Sequence, residues 1–392
     1  MANRIIKKRI KAIRSDLAKK RINCLIVTKP ANVTYTTGFM GEDSWAVITK
    51  RGIYLLTDSR YTEQAQKECV GCKIIQRPDS LYLAQALAKL LKKIKTMQNV
   101  AVEKSLSLAD FELLKKEYHG LLVRQAHHPE RSRGAARDIK SVANLIETIR
   151  SCKDKSEVAA IKAAAQVAAK ALRLTLPYIK PGVTENELAG MLNFQIRKLG
   201  ATNSFETIVA FGPNASRPHH QPSKRKLKKN DTILIDFGVR YKGYCCDITR
   251  CFAVGLRRAP FGSEPQGRRQ SSRRPTAFYK KVYDAVQKSQ AAAIKMIKAG
   301  VEIAKVDAAA REMIRKSGFP VYGHGTGHGL GLEIHELPYI KAKSKGRLEA
   351  GHIITIEPAV YIPGKIGIRI EDDILVTKTG CEILTRNCLH WR

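Results

Sequence analysis

Residues 232–254 read TILIDFGVRYKGYCCDITRCFAV. Two runs rich in β-branched and aromatic residues are each interrupted by a single acid, Asp236 after TILI and Asp247 within YCCDITR. Such runs read as strands of a packed domain. Burying one ionised carboxylate costs several kcal/mol unless a cation or a set of hydrogen bonds compensates it. Two further acids repeat the anomaly: Glu357 interrupts HIITIEPAVYI (352–362) and Glu371 follows GIRI in IGIRIEDDILVT (366–377). Ion pairs with nearby lysines would account for any one of these positions taken alone.

Working outward, the segment GHGTGHGLGLEIHE (323–336) places His324, His328 and His335 in a glycine-rich turn, where backbone can pack close to a ligand. Pro218-His219-His220 supplies another histidine pair upstream. Carboxylates with a few histidines and no clustered cysteine suit hard or borderline divalent ions, Mn, Co, Zn or Fe, rather than a thiolate site. Two such ions would also neutralise four acids.

Around these motifs the chain divides. The first ~120 residues alternate helix and strand signals, with a helix over 4–20, strands at 24–28, 46–49, 54–57 and 100–103, and helices near 61–69, 80–96 and 107–118. This alternation predicts a small α/β domain over 1–123. A basic insert and linker is expected over 124–150, and a catalytic domain over 151–392. In that second domain Asp154 and Glu157 have capping-box spacing, Thr184 starts a second helix, and two long helices are expected near 276–298 and 302–317. Blocks of strands and helices predict an α+β arrangement, an antiparallel sheet backed by helices. Two Arg-rich segments, 124–140 and 256–275, lack periodicity and read as exposed loops, the second an insertion within the catalytic domain.

The 392 residues carry 70 Lys and Arg against 35 Asp and Glu, a formal charge of +35. That balance invites a nucleic-acid or anionic partner. No motif uses the excess, however, so the expectation is nonspecific attraction to polyanions and no specific nucleic-acid site. No run approaches the roughly 18–20 apolar residues of a membrane helix. The basic start lacks an apolar signal core and reads as an amphipathic helix with Ile5, Ile6, Ile10, Ile13 and Leu17 on one face. Nine irregularly spaced cysteines fit a cytoplasmic location. Cys69 and Cys72 form one CxxC without the second pair that a zinc site needs.

The order Asp236, Asp247, His328, Glu357, Glu371, with 11 residues between the aspartates, 29 from His328 to Glu357 and 14 between the glutamates, resembles the ligand set of the pita-bread metallopeptidases. The strings LIDFG, HGTGHGLGLEIHE and GIRIED are similar to that family's signatures, and VTKPANVTYTTGF and LLTDSRY resemble its creatinase-type amino-terminal domain. The resemblance implies two divalent metal ions, manganese foremost. Asp236 would hold one, Asp247 and Glu371 would bridge both, and His328 and Glu357 would complete the second. A bridging hydroxide would attack the scissile carbonyl, with Glu357 as general base and then acid. His219 and His335 would stabilise the tetrahedral intermediate, His324 would line the pocket, and Arg369 would orient Glu371 or bind a substrate carboxylate. The extra amino-terminal domain disfavours methionine aminopeptidase and the complete ligand set disfavours creatinase. The resemblance therefore implies a homodimeric Xaa-Pro aminopeptidase acting on peptides with proline second. Xaa-Pro dipeptidase (prolidase) is the alternative, and a non-catalytic nucleic-acid or protein-binding module the remote one.

Overall fold

The computed structural model describes residues 2–94, 99–125, 139–253 and 276–388. Most of the Arg-rich segment 124–140 and all of 256–275 lie outside the described residues. The chain forms two compact units, residues 1–150 and 151–392.

The first unit runs α1 (Ala2–Lys19), β1 (Cys24–Val27), α2 (Pro30–Thr37), β2 (Trp45–Thr49), β3 (Ile53–Thr57), α3 (Thr62–Glu68), β4 (Lys73–Gln76), α4 (Leu83–Lys93), β5 (Val100–Glu103), α5 (Leu108–Gln125), β6 (Lys140–Val142) and α6 (Leu145–Ser151). Its six strands lie in the order β4-β3-β2-β1-β5-β6. β2 is antiparallel to β1 and β3, and the other neighbours are parallel. The α1 stripe behaves as its periodicity predicts: Ile6, Ile10, Ile13 and Leu17 are buried, while Ile5 is half-buried. Helix α2 was not expected, because its Val33, Thr34, Thr36 and Thr37 are β-branched. Pro30 in the first turn is pre-set for a helical start, and that local signal prevails over propensity.

The second unit runs α7 (Lys155–Thr175), α8 (Glu185–Lys198), β7 (Thr202–Asn203), β8 (Ile208–Phe211), β9 (Thr232–Tyr241), β10 (Tyr244–Ala253), α9 (Ala277–Met296), α10 (Ile303–Lys316), β11 (Gly327–Gly329), β12 (Glu336–Ile340), β13 (Ile353–Ile356), β14 (Ala359–Ile362), β15 (Ile366–Arg369), β16 (Asp372–Val376) and β17 (Cys381–Ile383). Helices α7 and α8 both open with capping boxes, Asp154 with Glu157 and Thr184 with Glu187. β9 and β10 form a ten-residue antiparallel hairpin. Ile233, Ile235, Phe237 and Val239 of β9, with Cys246, Ile248 and Phe252 of β10, pack against Ala165, Ala168, Leu172, Leu188 and Leu192 of the two helices. Side chains alternate along a strand, so Asp236, Asp247 and Thr249 occupy the opposite face. A second layer repeats the scheme: Ile354 and Ile356 of β13 and Ile374 and Val376 of β16 pack on Ala293 of α9 and Val306 and Ala310 of α10.

The sequence predicted two continuous carboxy-terminal strands, and each instead breaks in two at its glutamate. Glu357 and Pro358 separate β13 from β14, and Ile370 and Glu371 separate β15 from β16. Pro358 has no N–H to offer a ladder, which ends the first strand. Arg250, on β10, ties the end of the described chain to this layer. It donates to the Asp372 carboxylate at 2.7 Å, to the Cys388 carbonyl at 3.0 Å and to the Thr385 carbonyl at 3.3 Å.

Candidate metal centre

The acids that looked out of place in the sequence converge. Asp236 and Asp247 come from the helix-free face of the hairpin, His328 from the middle of β11, and Glu357 and Glu371 from the two strand breaks. Oxygen or nitrogen atoms of Asp247, His328 and Glu371 all lie within 4.8 Å of one another. His328 Nε2 is 3.6 Å from Asp247 Oδ2 and 3.7 Å from Glu357 Oε1. Asp236 lines the same cavity, about 470 Å³ in volume, together with His219, His324, His335 and Arg369. Every residue singled out from the sequence as a site candidate therefore faces one cavity.

Neighbouring groups orient these side chains. His328 Nδ1 meets the Gly329 carbonyl at 3.0 Å, which leaves Nε2 turned toward the carboxylates. Its backbone N–H donates to Thr355 Oγ1. The glycine before it is a packing requirement: a Cβ on Gly327 would lie 1.8 Å from the Thr355 carbonyl oxygen, so β11 and β13 can approach this closely only without a side chain. Thr249, directly opposite Asp236 in the hairpin, donates to Glu371 Oε2 at 2.6 Å and accepts from Arg369 Nε at 3.1 Å. Arg369 also donates to Asp236 Oδ2, to the Tyr361 hydroxyl and to the Pro218 carbonyl. His324 is held between the Gly325 carbonyl at 2.7 Å and the Tyr361 hydroxyl at 3.2 Å. The His335 ring stands edge-on to His328, centroids 4.4 Å apart.

The segment carrying His219 is anchored from below by Glu185, the fully buried first residue of α8. Its carboxylate accepts from the Phe211 and Ser223 N–H groups, from Asn214 and Ser223 side chains, and bonds His220 Nε2 at 2.8 Å. His220 is thereby occupied away from the cluster. The sequence reading missed Glu185, Thr249 and Tyr361. Of these only Thr249 carried a signal, since it lies two residues beyond Asp247 and so on the same strand face. It also missed Asp373, buried on β16, whose Oδ2 accepts the Asp247 N–H at 3.1 Å.

Electrostatically the cluster is under strain that a cation would relieve. Burial, reinforced by Glu371 and Asp236, pushes the Asp247 carboxyl well above the ordinary range. Burial and Glu357 do the same to Glu371, and burial pushes Glu357 up to about 8. Burial pulls His328 and His324 down to about 4, so both rings are neutral near pH 7. Among the described residues, Asp236 Oδ1 and Asp247 Oδ1 are buried with no hydrogen-bond partner. Such atoms are normally satisfied. A donor set of carboxylate oxygens and one imidazole, with no sulfur, fits hard or borderline divalent ions.

The profile of metallopeptidase family M24 matches residues 159–378. The chain belongs to this family. A creatinase/prolidase amino-terminal domain profile matches residues 9–152, and the fold is accordingly a creatinase-type domain followed by an M24 pita-bread domain. Among curated relatives, an uncharacterized peptidase of Bacillus subtilis, YqhT, is 33% identical over 381 residues, covering 97% of this chain and 98% of that protein. Among solved structures, an Xaa-Pro dipeptidase from Bacillus anthracis superposes with a TM-score of 0.84 at 34% identity, covering 97% of this chain and 98% of the other. An X-Pro aminopeptidase from Thermotoga maritima superposes with a TM-score of 0.79 at 31% identity, covering 95% and 97%. This M24 member is thus a metal-dependent peptidase, a hydrolase, with Xaa-Pro peptidases among its structural neighbours. No helix among the described residues is long and apolar enough to cross a membrane.

Proposed function

We propose that this protein is an Xaa-Pro aminopeptidase, releasing the first residue of peptides in which proline stands second. The observation that carries the reading is the pair of unpartnered buried oxygens, Asp236 Oδ1 and Asp247 Oδ1, beside His328, Glu357 and Glu371 on one cavity wall. Asp236, Asp247, His328, Glu357 and Glu371 would hold a pair of divalent ions. When bound, the pair would supply Lewis acidity toward the scissile carbonyl and an acidified water, with manganese the first choice and cobalt, zinc or iron the alternatives. Glu357 would serve as the general base and then the acid that delivers a proton to the proline nitrogen as the bond breaks. His219 and His335 donate to the oxygen that gains charge in the tetrahedral intermediate. His324, fixed by Gly325 and Tyr361, lines the substrate pocket. The reading is of a cytoplasmic homodimer.

The engagement of Arg369 favours longer peptides. Its nitrogens already meet Asp236, Thr249, Tyr361 and Pro218, so we assign it to orienting Asp236 and, through Thr249, Glu371, rather than to gripping a free carboxylate. The dipeptidase reading is favoured by a different residue: Lys341 lines the cavity and offers a cation to the carboxylate of a bound dipeptide. The deciding measurement is hydrolysis of Ala-Pro-Phe against Ala-Pro, after metal removal and Mn²⁺ add-back. Faster cleavage of the tripeptide supports the aminopeptidase, and cleavage of the dipeptide alone selects prolidase. Absence of both with every divalent ion tried overturns the peptidase reading. Asp236→Asn should abolish turnover with the circular dichroism spectrum unchanged.

A further inference from the structure

A second group of metal-ligating side chains lies within the second unit, separate from the cavity above. Cys152, Glu349 and His352 bring one sulfur, one carboxylate oxygen and one ring nitrogen within 4.8 Å of one another. Cys152 is half-buried, Glu349 exposed and His352 buried, so the group is rooted in the fold and open to solvent on one side.

The backbone holds all three. Residues 349–352 form a tight turn closed by the His352 N–H donating to the Glu349 carbonyl at 3.1 Å. Gly351 within it has φ +100°, a conformation that side chains rarely adopt, and a Cβ there would come within 3.2 Å of the Lys153 carbonyl. Across this turn Cys152 pairs with His352 in an isolated antiparallel bridge, and the Lys153 N–H donates to the Gly351 carbonyl at 2.8 Å. The Cys152 thiol points at Glu349 Oε2, 3.6 Å away. The His352 ring meets the Glu349 N–H at 3.1 Å through Nδ1 and the Ser151 hydroxyl at 3.4 Å through Nε2. A cation bound to the ring would replace one of these contacts.

We propose that Cys152, Glu349 and His352 form a second, independent metal site selective for a borderline thiophilic divalent ion such as Zn²⁺ or Co²⁺. One thiolate, one imidazole and one carboxylate are the ligand types of tetrahedral zinc, with water in the fourth position. The sulfur separates this site from the oxygen-rich centre, which suits harder ions. On binding, Cys152 releases its thiol proton to solvent, the metal–sulfur bond forms, and a water ligand leaves the ion. His352 directly precedes β13, the strand that leads to Glu357, so an ion here braces the root of that strand.

Cobalt tests the site, because only a thiolate ligand gives a near-ultraviolet sulfur-to-Co²⁺ charge-transfer band. The full chain, first saturated with Mn²⁺, is titrated with Co²⁺. The band should rise to saturation at one Co²⁺ per chain, bleach on adding Zn²⁺, and be absent in Cys152→Ser. Glu349→Gln, on the surface, should weaken Co²⁺ binding about tenfold or more without disturbing the fold. The Cys69→Ser/Cys72→Ser double variant should keep the band, and Cys152→Ser should keep its Mn²⁺-dependent peptidase activity. No band in tenfold excess Co²⁺, or a band that survives Cys152→Ser, overturns the proposal. Neither outcome bears on the catalytic reading.

Discussion

Arg369 donates to Asp236 across 2.5 Å, between side chains only 4% and 11% exposed. The guanidinium thus occupies one oxygen of the carboxylate and leaves the other facing the cluster. A lysine would keep the charge but not the planar fork that also reaches Thr249, Tyr361 and Pro218. Arg369→Lys is expected to lower metal affinity or kcat/KM by about 10- to 100-fold. Metal titration followed by peptide hydrolysis measures it, and wild-type values for both would refute the orienting role.

The metal-free cluster makes stability depend on pH in a defined direction. Burial raises Glu357 from an ordinary 4.5 to about 8. A group whose folded value is raised contributes stability fully present below its unfolded value, and that contribution is lost as pH rises through the folded value. The buried histidines act oppositely. His328 and His324, lowered from 6.5 to about 4, cost stability only as pH falls below 6.5. Between pH 6.5 and 8 the carboxyls therefore dominate, and the Tm of the stripped protein should fall across that window. Added Mn²⁺ should remove most of the slope, so its stabilisation is larger at pH 8 than at pH 6.5. A flat apo profile would contradict the cluster's electrostatics.

Glu185 offers a test remote from the cluster. Its carboxylate gathers five contacts that fix residues 211–223 beneath His219. Burial alone would raise its pKa, but the hydrogen bonds from Ser223, His220, Phe211 and Asn214 together more than offset that and hold it below the ordinary value. Glu185→Gln replaces an acceptor by a mixed donor and acceptor, and is expected to cost about 2 kcal/mol in urea unfolding. It should also lower kcat while leaving bound metal unchanged, because no cluster residue touches it.

One substitution should have opposite signs at two glycines. Gly327→Ala drives a methyl into the Thr355 carbonyl beside His328, with an expected loss of about 1–3 kcal/mol and of metal binding. Gly190→Ala, on the exposed side of α8 with nothing within 4 Å, should instead gain about 0.5–1 kcal/mol. Thermal unfolding of the two variants side by side checks both.

What the sequence made legible follows from how far each signal travels along the chain. Asp236 and Asp247 announce themselves because an acid in an apolar run is anomalous within five residues on either side. The capping boxes of α7 and α8 are visible for the same reason. Glu185 is hidden by that logic: an acid in the first turn of a helix is expected for the dipole alone, and its partners lie 26 to 38 residues onward. Tyr361 is similar, an ordinary strand residue until the fold sets it between His324 and Arg369. The flanks of Glu357 and Glu371 read as continuous strands because both have strand composition; Pro358 marks the first break locally, whereas the second shows only once the fold places the Glu371 carboxylate.

The reach of Arg250 has a consequence for synthesis. Its partners Asp372, Thr385 and Cys388 lie 122 to 138 residues further along the chain, so they leave the ribosome well after the hairpin that carries it. The acids beside it likewise wait for Glu371. A nascent chain can complete its first unit early, but the candidate metal centre lacks its full set of side chains until Glu371 has emerged. A centre assembled in this order would hold no metal pair in a half-made chain.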